Sequence, residues 1–144
     1  MIETYNREIT EPVGRVMAKI GKIFQAKLLI RLSHLDINRS IYPLLLIESK
    51  DGITQQELAR ELSCDKVQVV RIIDYLSKND YVQRIPSLGD KRKHILKITS
   101  KAQVMIPEIK NAINETSKIA FNGLTENQVD ELYKMLNLLE INLL

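Results

Sequence analysis

Residues 53–78 decide the fold: Ile53-Thr54-Gln55-Gln56-Glu57-Leu58-Ala59-Arg60-Glu61-Leu62-Ser63-Cys64-Asp65-Lys66-Val67-Gln68-Val69-Val70-Arg71-Ile72-Ile73-Asp74-Tyr75-Leu76-Ser77-Lys78. Thr54 and Glu57 form a capping-box pattern, with Ile53 and Leu58 where a hydrophobic staple sits. That helix ends at Ser63-Cys64. Asp65 starts the next, with Gln68 at its third position and Cys64/Val69 as another staple. Val69, Ile72, Ile73 and Leu76 form its inward stripe, and Lys66, Gln68, Val70, Arg71, Asp74 and Lys78 its other face. Helices of about eight and about thirteen residues across a tight turn make a helix-turn-helix. Counted from Gln55, position five is small (Ala59), and Leu58, Leu62, Cys64, Val69 and Ile72 fill the apolar positions. Position nine, usually Gly because the backbone there is left-handed, is Ser63. A plain helical hairpin is the alternative.

After Lys78-Asn79-Asp80 the period changes. Residues 81–85 (Tyr-Val-Gln-Arg-Ile) and 94–99 (His-Ile-Leu-Lys-Ile-Thr) read as short strands around the basic loop 86–93. A hairpin placed there is a wing. Within residues 84–101, Arg84, Lys91, Arg92, Lys93, Lys97 and Lys101 face Asp90 alone. The net charge of +3 divides into +2 over residues 1–49, +4 over 50–101 and −3 over 102–144. This asymmetry points to a polyanion contact mid-chain, with a solvated basic loop as the alternative.

Upstream, Ile9, Val13, Val16, Ile20, Ile23, Phe24 and Leu28 recur at spacings of three and four, predicting a helix from about Tyr5 to Leu32. Such a helix is about 40 Å long, more than a small domain covers. Ser40 to Ser49 reads as a short helix capped by Ser40, with Pro43 in its first turn. Lys50-Asp51-Gly52 is a turn. Downstream, Ser100 to about Asn122 reads as a helix with Pro107 as a kink or first-turn break. Thr125 and Gln128 repeat the capping box before a stripe of Val129, Leu132, Leu136 and Leu139. Three long amphipathic helices around a small winged unit leave apolar surface that a second copy would cover, and packing within one chain is the alternative.

At 144 residues the chain suits one domain, and 44% apolar with 27% charged residues suits a soluble, mainly α protein. Nine Gly and Pro residues together disfavour a many-stranded sandwich. One Cys and two His (His34, His94) exclude a disulfide framework and a structural zinc site made by one chain alone. No apolar run approaches the about 20 residues of a membrane span, and no secretory signal opens the chain, so a cytoplasmic location without membrane contact is expected. No Gly-rich phosphate loop, metal cluster or partnered nucleophile is present, so no enzyme activity, metal or cofactor is expected.

The layout resembles the MarR family of bacterial transcriptional regulators over nearly the whole chain. Asp51 to Ala59 looks like the family's entry to its helix-turn-helix. Asp65-Lys66 with Val69, Arg71 and Asp74-Tyr75-Leu76 looks like its recognition helix, and Val82-Gln83-Arg84 like its first wing strand. Asp90-Lys91-Arg92-Lys93 leading to Leu96-Lys97-Ile98-Thr99-Ser100-Lys101 looks like the wing arm and exit. The family often has Ser or Thr at Val67 and Val70, and Gly at Asp80 and Ala102. Redox-sensing members carry Cys near the first helix, whereas Cys64 sits at the turn and reads as a packed thiol.

The resemblance implies one winged-helix domain over 1–144, with 1–34 and 100–144 as dimerisation helices and 38–99 as the DNA-binding part. It implies a transcriptional repressor that binds a pseudo-palindromic operator as a homodimer and is released, as many members are, by a small lipophilic or phenolic effector. The 65–78 helix then enters a major groove. Gln68 and Arg71 are candidates for base edges, with capping of Asp65 as Gln68's competing role. Val67 and Val70 would meet thymine methyls or solvent. Thr54, Gln55 and Lys66, near helix starts, suit phosphates. Arg92 is the candidate for the minor groove, oriented by Asp90, with a simple surface ion pair of the two as the alternative. Lys91, Lys93 and His94 are assigned to phosphates. The dimerisation set is Ile9, Val13, Val16, Ile20, Val129, Leu132, Leu136 and Leu139. A winged helix that contacts protein or RNA without operator binding is the other reading.

Overall fold

The computed structural model describes residues 11–37, 40–90 and 92–144. Ile9 and Lys91, and the expected helix start at Tyr5, lie outside them. The described residues form six helices and one two-stranded antiparallel sheet. The order is α1 (Val13–Arg31), α2 (Ile41–Ser49), α3 (Gln55–Glu61), α4 (Lys66–Lys78), β1 (Val82–Pro86), β2 (His94–Ile98), α5 (Ser100–Ala120) and α6 (Glu126–Leu143). This is the winged-helix architecture expected from residues 53–98.

Several boundaries differ from the sequence reading. Glu11 and Pro12 are not helical, so no helix runs unbroken from Tyr5; α1 starts after Pro12, whose carbonyl accepts from Arg15 and Val16 amides. Ser40 precedes α2 but its side chain makes no capping bond, because its backbone is not in the extended conformation a cap requires (φ −93°, ψ 20°). Helix α5 continues through Pro107, which falls well past the first turn. There the ladder lacks one amide donor, and the residue is exposed.

The chain packs as two compact units. One joins Ala26–Ala112; the other combines the described part of Met1–Gln25 with Ile113–Leu144. In the first, Leu28, Leu44, Leu58, Ile73, Leu76 and Ile109 are wholly buried. Among the described residues three helices start on a capping box: Thr54/Glu57 for α3, Asp65/Gln68 for α4 and Thr125/Gln128 for α6. In the second unit, Phe121 and Tyr133 rings meet edge-on at 6.3 Å. Among the described residues every buried apolar side chain belongs to Ala26–Ala112, and α6 buries none at all.

Candidate nucleic-acid interface

Helices α3 and α4 each stop on the same device. After α3 the Cys64 amide donates to Ala59 and the Ser63 amide to Arg60, with Ser63 at φ +50°. After α4 the Tyr81 amide donates to Leu76 and the Asp80 amide to Ser77, with Asp80 at φ +63°. Both are Schellman caps whose left-handed residue is not glycine. The first sets the turn of the helix-turn-helix. The second turns the chain from α4 into the wing.

The wing is tied to both helices. β1 and β2 pair from Val82↔Ile98 to Pro86↔His94. Thr54 bridges to Ile95, and the Leu96 amide donates to the Ile53 carbonyl at 2.8 Å. The residue that caps α3 therefore also extends the sheet, which the sequence pattern did not signal. The Thr99 hydroxyl donates to the Asp80 carbonyl at 2.6 Å. Lys101 Nζ donates to the Asn79 carbonyl at 2.9 Å and lies 4.6 Å from the Tyr81 ring centre. Lys101, counted in the basic stretch, thus closes the end of α4. Arg84, also in that stretch, is held by Asp74.

The remaining cations differ. Lys66, Arg71, Arg92, Lys93 and Lys97 are exposed and enter no ion pair among the described residues. Val67, Arg71, Asp74 and Lys78 share the outward stripe of α4, with Val67 61% exposed and Val70 half-buried. Of the expected inward stripe, Val69, Ile73 and Leu76 are buried and Ile72 is half-buried. Gln68 is exposed, but its Oε1 accepts from the Asp65 amide at 3.3 Å, so bidentate pairing to a base requires the cap to open. Thr54 Oγ1 accepts from the Glu57 amide and keeps its proton to donate. Gln55 is half-buried at the start of α3. His94 opens β2, exposed.

At the wing tip Asp90 Oδ1 accepts from the Arg92 backbone amide at 3.0 Å. Asp90 holds the loop's backbone; among the described residues it forms no ion pair with the Arg92 side chain. Cys64 is half-buried at the turn, and His34 pairs with Glu108.

A cleft of about 340 Å³ opens beside α4, lined by Leu29, Leu32, Ser33, Leu35, Asp36 and Tyr75. The Tyr75 hydroxyl donates to the Asp36 carbonyl at 3.1 Å and to its Oδ1 at 3.2 Å. Burial first, then the hydrogen bond and charge of Asp36, push the Tyr75 phenol above its ordinary value.

Comparison with known proteins places this arrangement. The MarR family model matches residues 42–94. Wild-type MarR from E. coli, in its apo form, is 27% identical over 92% of this chain and 98% of that one, with a TM-score of 0.74. A Cys-to-Ser mutant of E. coli MarR complexed with operator DNA is 26% identical over 88% and 92%, with a TM-score of 0.79. A putative MarR family transcriptional regulator from Listeria monocytogenes, complexed with a 26mer DNA, shares the fold at 23% identity and a TM-score of 0.86, over 92% and 89%.

Proposed function

We propose that this chain, a winged helix-turn-helix protein whose residues 42–94 match the MarR family model, is a sequence-specific, homodimeric repressor of transcription in the cytoplasm. Two α4 helices enter successive major grooves of a pseudo-palindromic operator, about 34 Å apart, and each wing meets the flanking minor groove. The observation that carries this reading is the two exposed guanidiniums, Arg71 on α4 and Arg92 on the wing tip, neither in an ion pair among the described residues. One has the fork that matches a guanine edge, and the other suits a narrow groove. Lys66, Lys93 and the Thr54 hydroxyl supply phosphate contacts around them.

The homodimer is supported by the distribution of burial. Val13 and Ile20 on α1, and Leu139 on α6, are exposed, while Val16, Val129, Leu132 and Leu136 are half-buried. A second copy would cover that apolar surface. Release by a small lipophilic or phenolic effector is supported by the cleft against Tyr75, whose size is at the lower end for such ligands.

Titration with duplexes of randomised core, at rising salt, tests the reading. Specific duplexes are enriched, and affinity falls steeply with salt as phosphates release counterions. Transcription from a template carrying the enriched site falls when the protein is added. A salt-insensitive complex with protein or RNA, without duplex affinity, overturns it.

A further inference from the structure

Leu88, at the tip of the wing, is 109% exposed, more than any other large apolar residue described. A single exposed leucine is ordinary on a protein surface. This one is held out on a closed loop. The Ser87 amide donates to the Lys93 carbonyl at 2.8 Å, the Lys93 amide to the Asp90 carbonyl at 3.0 Å, and the Arg92 amide to Asp90 Oδ1 at 3.0 Å. Arg92 and Lys93 stand exposed on the returning limb, neither in an ion pair among the described residues. The same short loop therefore carries an exposed aliphatic side chain and two cations that enter no ion pair among the described residues.

A matching surface needs an anionic rim and apolar walls within one side chain's reach. The minor groove of duplex DNA has both: phosphates along its edges and deoxyribose walls about 6 Å apart. Apolar side chains there press between base steps and partly unstack them. Pyrimidine–purine steps give way most easily. We propose that Leu88 is a minor-groove wedge, seated beside Arg92, that makes the protein prefer a TA or CA step under the wing. The inference rests on the duplex binding proposed above.

The experiment selects duplexes of randomised core in parallel with the full-length parent and with Leu88→Ala, Leu88→Asn and Leu88→Met. The parent and Leu88→Met should enrich a pyrimidine–purine step at a fixed distance from the major-groove contacts. The Ala and Asn variants should lose that preference and bind the parent's selected duplex about tenfold more weakly. Their salt dependence should equal the parent's, since no charge is removed. 2-Aminopurine placed at the step should brighten with the parent and not with Leu88→Ala. Thermal unfolding of each variant, matching the parent, excludes misfolding at this exposed position. Equal selection and affinity for the parent and Leu88→Ala overturns the wedge and leaves operator binding standing. Phosphatidylglycerol vesicles that bind the parent but not Leu88→Ala, with duplex affinity unchanged, also overturn it and assign the leucine to a membrane surface. If the parent enriches no duplex, both readings fall together.

Discussion

Arg84 Nη2 of β1 lies 2.5 Å from Asp74 Oδ1 of α4, so the helix carrying Arg71 is tied to the strand that carries the wing. The carboxylate occupies the same outward stripe as Arg71, three residues after it. On the surface proposed to meet phosphates, an unneutralised carboxylate would repel; Arg84 cancels that charge. The pair is partly exposed, and such pairs contribute only about 0.2–1 kcal/mol to stability. Arg84→Ala should therefore unfold within a few degrees of the parent yet bind the selected duplex about three- to tenfold more weakly. Replacing Asp74 as well, in Asp74→Ala/Arg84→Ala, should restore part of the loss. Fluorescence anisotropy of a labelled duplex measures it. A double variant that binds no better than the single one would place Arg84 on DNA instead.

The tether from α4 to the loop after α1 gives a pH dependence. Tyr75 and Tyr81 both have phenols raised above 10.0, chiefly by burial, with Asp36 adding to each. The folded state thus disfavours the phenolate. The stability this represents is fully present below the unfolded value of 10.0 and is lost as pH rises through the higher folded value. Urea midpoints should be insensitive to these groups at neutral pH and should drop above about pH 10. Tyr75→Phe should lose about 1 kcal/mol at neutral pH, from the missing hydrogen bond, and show a shallower alkaline decline. An alkaline decline identical in parent and variant would remove Tyr75 from the account.

The two Schellman caps make a stability prediction. Ser63 and Asp80 each hold a left-handed backbone at which a Cβ is unfavourable. Ser63→Gly removes that strain but adds chain entropy to the unfolded state. The net should be a gain of about 0.5–1 kcal/mol, read as a rise of a few degrees in Tm. A fall in Tm would mean that the serine side chain, not the backbone, is what the turn needs.

What was legible in the sequence was local. The three capping boxes are patterns of residues three apart, and they formed as the spacing required. The left-handed backbone at Ser63 is legible because a helix-turn-helix has to turn there. The wing is legible to within a residue at its strand ends, because pairing, not composition, sets where a strand stops. What was not legible was the pairing of distant residues. Asp74 with Arg84, Lys101 with Asn79, and Ile53 with Leu96 depend on how α4, the wing and the start of α5 meet. Composition counted Arg84 and Lys101 as free cations. It also passed over Leu88, because a lone leucine in a polar loop has no period to mark it.

The second unit leads to a prediction about assembly. Helix α6 buries no residue, yet Val129, Leu132, Leu136 and Leu139 recur along it at spacings of three and four. An isolated helix of this length is marginal in water, so tertiary or quaternary packing has to hold it. A second copy laid along that stripe would do so. The parent should sediment at twice the chain mass. Leu139→Asp, at a position already 36% exposed, should leave the winged helix folded while shifting the mass toward that of one chain. Duplex affinity should then fall about a hundredfold or more, because the two half-sites no longer share one binding event. A parent that sediments as a single chain, or a Leu139→Asp variant that stays paired at low micromolar concentration, would mean that the stripe is covered in some other way.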